Sequence, residues 1–209
     1  PMTDDGTAGD EEAGDSIYTV VIPGSLHTNR LLVRYRITST DNTGLSITGP
    51  YAHDPQPNFA YFVYDGVPVW SGAINPASSE PALNQVVYYS SDILTKIPVY
   101  HFISKKDSVE HAIWIDKYGG DLYKWNGTLI YDGDVYDHIR YRARGGCWRY
   151  SMGKNMWKFD FNRGHYFQAR DDYGKKYDTT WDKLNFSACI QQGDYLHRGE
   201  QGMIEAASF

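Results

Sequence analysis

The chain has 209 residues, a formal net charge of -6, and an aromatic-rich composition of 18 Tyr, 8 Phe and 6 Trp with 20 Gly. That length exceeds a typical domain of about 100–150 residues and is enough for one sizeable core or two small ones. The acidic balance excludes general nucleic-acid binding, which needs a net basic footprint, and no run approaches the ~18 apolar residues of a membrane span.

Residues 1–15 hold six carboxylates and no cation, with Gly at 6, 9 and 14, the composition of a turn-rich loop. Oxygen ligands this dense suit Ca²⁺, yet the order of a helical calcium loop is absent, and the segment reads as a solvated acidic loop. Three strand signals follow, SIYTVVIPG, LLVRYRITSTDNTG and NFAYFVYDG, each ended by Pro, Asn or Gly. In the second, alternation predicts Val33, Tyr35 and Ile37 inward with Arg34, Arg36 and Thr38 outward. Residues 1–66 are therefore read as the end of a small β-sandwich whose opening strands precede Pro1, because the strands are fewer than the about seven of an immunoglobulin-like domain. Residues 67–96, with several prolines and serines, read as a connector with one ordered piece around NQVVYY.

A second unit is predicted over residues 97–209. A strand at 98–104 leads into KKDSVEHAIWIDKYG, where Val109, Ala112, Ile113 and Asp116 stand near helical spacing. The Asp-Gly pair of YDGD at 131–134 signals a hairpin. Next come two strands with charged faces. Ile139, Tyr141 and Ala143 share one face and Arg140, Arg142 and Arg144 the other, while Trp157, Phe159 and Phe161 oppose Lys158 and Asp160. If the two strands pair, a guanidinium row lies beside a lysine. Residues 136–170 carry eight Lys/Arg against Asp137 and Asp160. This local excess points to a phosphate or carboxylate ligand, beside the plainer reading of a solvated face whose long side chains cover apolar neighbours.

Other motifs carry less. Cys147 and Cys189 fit neither a disulfide-dense scaffold nor a zinc spacing, and whether they pair is open. The seven His lack ligand spacing, and no metal site is assigned. No G-x-S-x-G elbow is present, while a carboxylate pair for glycoside hydrolysis leaves no fixed spacing to find. Trp70, Trp114, Trp125 and Trp148 suit sugar stacking or core packing. Asn126 and Asn185 begin glycosylation sequons.

Two stretches carry resemblances. DDGTAGDEEAGDSIYTVVIPG followed by VRYRITSTDNTG resembles the end of immunoglobulin-like or fibronectin-like modules repeated in large bacterial surface proteins. PVYHFIS, then LIYDGDVYDHIRYRARGGCWRYSMGKNMWKFDF, then WDKLNFSACIQQGDYLHRGEQGMIEAASF, resembles the spore coat protein H (CotH) family over residues 97–209. The second resemblance implies an atypical kinase-like fold that binds ATP and Mg²⁺ and phosphorylates secreted proteins. It implies phosphate contacts from Lys158 and Lys154, an anion site lined by Arg142 and Arg144, and a Glu200 or Glu205 partner for the lysine in a C-terminal helix near 196–208. Phosphoryl transfer also needs metal-binding carboxylates, and the segment that would supply them is expected beyond Phe209.

The expected fold is thus mainly β, with an α+β second unit: a partial β-sandwich, then a β-rich kinase-like N-terminal lobe ending in a helix. The expected function is a fragment of a secreted or cell-surface bacterial protein with nucleotide-binding ancestry, inactive alone, whose partners are neighbouring surface modules and a phosphate or nucleotide ligand. A glycan- or protein-binding module and a small secreted hydrolase are the alternatives.

Overall fold

The computed structural model describes residues 1–73, 79–114, 124–145 and 155–187. The chain is mainly β. It divides into two compact units, the first formed by Pro1–Val33 with Phe62–Asp65 and the second by Arg34–Tyr61 with Gly66–Phe209. Residues 34–61, grouped by sequence with the opening sandwich, therefore lie in the second unit.

In the first unit the acidic segment folds back on itself, with Thr3 and Thr19 exchanging backbone hydrogen bonds of 2.9 and 2.8 Å. SIYTVVIPG, predicted as a strand, makes only that single bridge and a following 3₁₀ turn, Gly24–Leu26. Ile17, Tyr18, Val20 and Val21 stay exposed. Apolar content alone does not make a strand: a ladder needs a partner backbone over several residues, and here only Thr3 supplies one.

Strand β1 (Leu31–Tyr35) pairs with β4 (Phe59–Val63), and β2 (Ile37–Thr40) forms a hairpin with β3 (Ser46–Gly49). The predicted inward set is not buried. Tyr35 and Ile37 are exposed, and Arg34, expected to point to solvent, reaches the fully buried Asp137. The predicted connector is more ordered than its composition suggests: β5 (Trp70–Gly72) pairs with β6 (Val87–Tyr89), and two helical turns, α1 (Pro81–Asn84) and α2 (Ser91–Leu94), flank β6. Trp70 stacks on Tyr89 across this small hairpin.

The second unit is built around a five-stranded antiparallel meander. Its strands are β7 (Tyr100–Ile103), β8 (Trp125–Tyr131), β9 (Asp134–Arg144), β10 (Met156–Asp160) and β11 (Lys183–Phe186), and each pairs with its neighbour in sequence. Helix α3 (Lys106–Trp114) follows β7 within the segment predicted helical, burying Ala112 and packing Val109 on the core. The β8–β9 connection is the Asp-Gly hairpin predicted from sequence, with Asp132 at φ 49° and Gly133 at φ 84°, the left-handed pair that matches strand twist.

Alternation places the core on one face of this sheet. Ile139, Tyr141 and Ala143 of β9 face Trp157 and Phe159 of β10 in register, and Leu184 and Phe186 of β11 extend the row. Phe102 meets the Tyr141 and Phe159 rings edge to face, at centroid distances of 4.6 and 5.2 Å, geometries favoured by the ring quadrupoles. Buried Tyr141 keeps its hydroxyl paired with Ser104 at 2.6 Å. Gly127 is required by this packing, because a Cβ there would stand 2.9 Å from the Phe102 ring and 3.0 Å from the Ile103 carbonyl. The predicted C-terminal helix near 196–208, together with Cys147 and Cys189, lies outside the described residues.

Candidate functional site

The face of the meander opposite the aromatic core is polar and charged. Because the β9–β10 pairing sets Lys158 opposite Arg142, Asp160 opposite Arg140 and Met156 opposite Arg144, the guanidinium row and the lysine share one face, as alternation predicts. On the other side of β10, Asn185 lies opposite Lys158 and Lys183 opposite Asp160. Arg140 is exposed, whereas Arg142, Arg144 and Lys158 are half-buried. Lys154, Glu200 and Glu205 lie outside the described residues.

Asp160 is the electrostatic centre of this face. Its side chain is only 10% exposed; Oδ2 forms an ion pair with Lys124 Nζ, while Oδ1 faces Lys158 Nζ at 3.7 Å. That second separation is too long for a hydrogen bond, and Oδ1 accepts none among the described residues. Nearby, Lys183 donates to Asp182 at 2.6 Å and holds that carboxyl below the usual carboxylate range. Among the described residues cations outnumber carboxylates on this face, and the half-buried Lys124 and Lys158 amines act through less water than surface lysines do. Lys124, Lys183 and the central position of Asp160 were not singled out from sequence. The K-x-D spacing of Lys158 and Asp160, which puts both on one face of a strand, was the available signal for Asp160. For Lys124 there was none.

A second polar cluster surrounds an irregularity in β9. Gly127 opposes Ile139 and Leu129 opposes Tyr136, so Asp137 and His138 together oppose the single residue Thr128 in a β-bulge. His138 adopts φ 52°, a left-handed conformation uncommon outside glycine. Asp137 accepts five hydrogen bonds: from Arg34 Nε at 2.6 Å and Nη2 at 2.9 Å, Thr128 Oγ1 at 2.6 Å, Asn58 Nδ2 at 2.9 Å, and the His138 N–H at 2.9 Å. Burial alone would push the Asp137 carboxyl up, but hydrogen bonds led by Arg34, then Thr128 and Asn58, outweigh it and hold the group far below the usual range.

The backbone groups that the bulge takes out of the ladder are also paired. The Asp137 N–H donates to Gln56 Oε1 at 3.0 Å, and Asn162 Nδ2 donates to the Asp137 and His138 carbonyls at 3.1 and 3.2 Å. Asn58 Oδ1 can only accept, so His138 Nε2 carries the proton of their 2.6 Å contact. His165 Nε2 lies 2.8 Å from Asp54 Oδ1 and ties the same loop to the segment after β10. This cluster joins residues 34 and 54–58 to the meander with its charge fully compensated. It is a fold determinant rather than a receptive site.

The remaining candidates resolve differently. Asp4, Asp10 and Asp15 converge, with a carboxylate oxygen of each within 4.8 Å of the others. They accept backbone N–H groups from Gly14 and Ser16, from Gly6, and from Ile17, respectively, an arrangement usual for acidic loops that identifies no metal. Trp70 and Trp114 are exposed, Trp125 packs against the core, and Trp148 lies outside the described residues. The sequon at Asn126 ends in Thr128, which is buried and bonded to Asp137, so the folded strand does not present it as an acceptor. No helix among the described residues is long and apolar enough to cross a membrane. The chain matches no family model, no curated protein and no solved structure.

Proposed function

We propose that this chain is a CotH-like module of a secreted or surface bacterial protein, and that the charged face of its meander binds the phosphate groups of a nucleotide or related polyanion. The observation that carries the reading is the β9–β10 register, which sets Lys158 beside Arg142 on the face away from the aromatic core. Guanidinium groups bind phosphate oxygens in pairs and keep their charge at any ordinary pH, and an ammonium beside them adds a movable point charge. Arg144 extends the row. ATP with Mg²⁺ is the ligand that the family resemblance suggests, and no phosphoryl-transfer step is assigned to the described residues.

Calorimetry with ATP, and with tripolyphosphate to isolate the phosphate contribution, tests the reading. Binding is expected in the high-micromolar to millimolar range, about 4–6 kcal/mol, since contacts on a partly solvated face are weakened by salt. The Arg142→Ala/Lys158→Ala double variant is expected to lose it. Equal heats from wild type and double variant, or no heat at low salt, would reduce the face to an ordinary solvated surface.

A second reading, glycan or protein binding through exposed aromatics, is favoured by the segment after β10. Tyr173 is 95% exposed there, and Tyr177 stands edge-on to Trp181, which is also exposed. Retardation of the protein in polysaccharide gels, lost on Tyr173→Ala, would support it. Unretarded migration would remove it.

A further inference from the structure

The first unit carries an apolar run with one edge left open. Residues 17–22, IYTVVI, are uncharged and β-branched or aromatic throughout, the composition that most favours a strand. Yet Ile17, Tyr18, Val20 and Val21 are each more than half exposed, and Ile22 is exposed as well. Thr19 gives both its N–H and its carbonyl to Thr3. Because these groups alternate in direction along an extended chain, those of Tyr18, Val20 and Ile22 point to the opposite edge, where among the described residues none has a backbone partner. Natural edges are usually blunted by a Lys, a Pro or a bulge, and nothing of the kind interrupts this run between Ser16, at φ 69°, and Pro23.

We propose that this edge receives an extended strand from a partner protein, antiparallel to residues 17–22, and that the partner's short apolar stretch is followed on its C-terminal side by Lys or Arg. Main-chain hydrogen bonds to Tyr18, Val20 and Ile22 supply the affinity. Charge selects the partner. Residues 1–15 hold six carboxylates, no Lys or Arg precedes Arg30, and Glu11 and Glu12 are exposed. This acidic stretch leads directly into the run, and an antiparallel partner, the more stable arrangement, brings its C-terminal end to that side. A cation there is attracted and a carboxylate repelled. A second copy of the chain fits less well: its own run is followed by residues 23–29, which contain no Lys or Arg to set against the acidic stretch.

The test is fluorescence anisotropy of the full chain at low salt with the labelled peptide VTVTVTKKK, beside KKKVTVTVT and VTVTVTEEE. Val20→Pro removes an outward N–H and leaves the Thr3–Thr19 bridge in place, and it is expected to weaken VTVTVTKKK binding about tenfold or more. The peptide with lysines first should bind wild type about threefold more weakly, and VTVTVTEEE more weakly still. Glu11→Gln/Glu12→Gln should also cost about threefold, an effect that fades as salt rises. Hydrogen exchange at the Tyr18, Val20 and Ile22 amides should slow when VTVTVTKKK is bound. If Val20→Pro fails to give the circular dichroism spectrum of wild type, this exchange, measured on wild type, carries the test.

Equal affinity of wild type and Val20→Pro, or exchange at those amides unslowed by the peptide, would overturn edge pairing and leave attraction by charge alone. Equal binding of the lysine-ended and glutamate-ended peptides would overturn the basic partner. No binding of VTVTVTKKK by wild type would overturn the proposal as a whole. So would a dimer of the chain in sedimentation that Val20→Pro abolishes, because a second copy would then be the occupant.

Discussion

Asp137 on β9 and Asp160 on β10 are both buried carboxylates of one sheet, but Asp137 accepts five hydrogen bonds while Asp160 has an oxygen that accepts none. Around Asp137 the donors come from four separate stretches of chain, at Arg34, Asn58, Thr128 and His138, and one arginine fork meets both carboxylate oxygens. Around Asp160 the partners are flexible lysine amines on or beside the strands themselves. A carboxylate whose every lone pair is matched by fixed donors specifies a fold, because any rearrangement leaves a buried charge exposed to a low-dielectric surrounding. One held by mobile ammonium groups can exchange partners. The contrast separates a fastening from the face proposed to bind an anion within one sheet.

The largest way to break that contrast is to remove the fastening. Asp137→Ala is expected to cost about 3–5 kcal/mol, read as a fall in the urea midpoint, because Arg34, Asn58 and the bulge amide lose a common acceptor. Asp160→Asn should cost about 1 kcal/mol or less. Equal losses would mean that both aspartates are structural. Next in size is ligand affinity. Lys158→Ala should weaken tripolyphosphate binding about tenfold, or 1.4 kcal/mol, whereas His138→Ala should leave it within about twofold. A comparable loss in His138→Ala would extend the proposed anion site into the bulge.

Acid unfolding sharpens the same difference. The Asp137 carboxyl is depressed in the folded chain, so its contribution is fully present above the ordinary carboxylate value near 4 and is lost as pH falls below it. Thermal midpoints followed from about pH 7 to about pH 3 should fall less steeply in Asp137→Asn than in wild type. Parallel slopes would assign the acid limb to other groups. The smallest effect is alkaline. Burial, with Tyr131 adjoining, pushes the Tyr100 phenol up to about 12, so its contribution is present below the ordinary value near 10 and is lost as pH rises toward 12. Tyr100→Phe should flatten that limb by about 1 kcal/mol or less. An unchanged limb would show that Tyr100 is not its source.

Local alternation made much of the sheet legible. The opposed faces of residues 139–144 and 157–160 needed only a two-residue period, the Asp-Gly hairpin only its left-handed preference, and α3 only a few apolar positions at helical spacing. The charged face was legible for the same reason. What sequence did not carry were partnerships made across the fold. Arg34 and Asp137 are 103 positions apart, and nothing near either residue announces the other. The exposed state of Ile17, Tyr18, Val20 and Val21 was equally hidden, since an apolar run reads as a strand whether or not a partner lies beside it. Lys124 and Lys183 act through the register of neighbouring strands, which local pattern leaves undetermined.

The two residues that β9 sets against Thr128 act as a change of reading frame within one strand. Tyr136 is buried in the core, and strict alternation from it would carry positions 138, 140, 142 and 144 inward as well, three of them arginines. The extra residue at His138 resets the count, so Ile139, Tyr141 and Ala143 take the inward places and the guanidinium row emerges on the opposite side. Deleting His138 would thus be a frameshift in space: every residue from Ile139 to Arg144 would trade sides, placing three arginines in the aromatic core and Ile139, Tyr141 and Ala143 in water. The chemistry of the charged face is therefore encoded as much by one uncommon backbone conformation as by the arginines that compose it.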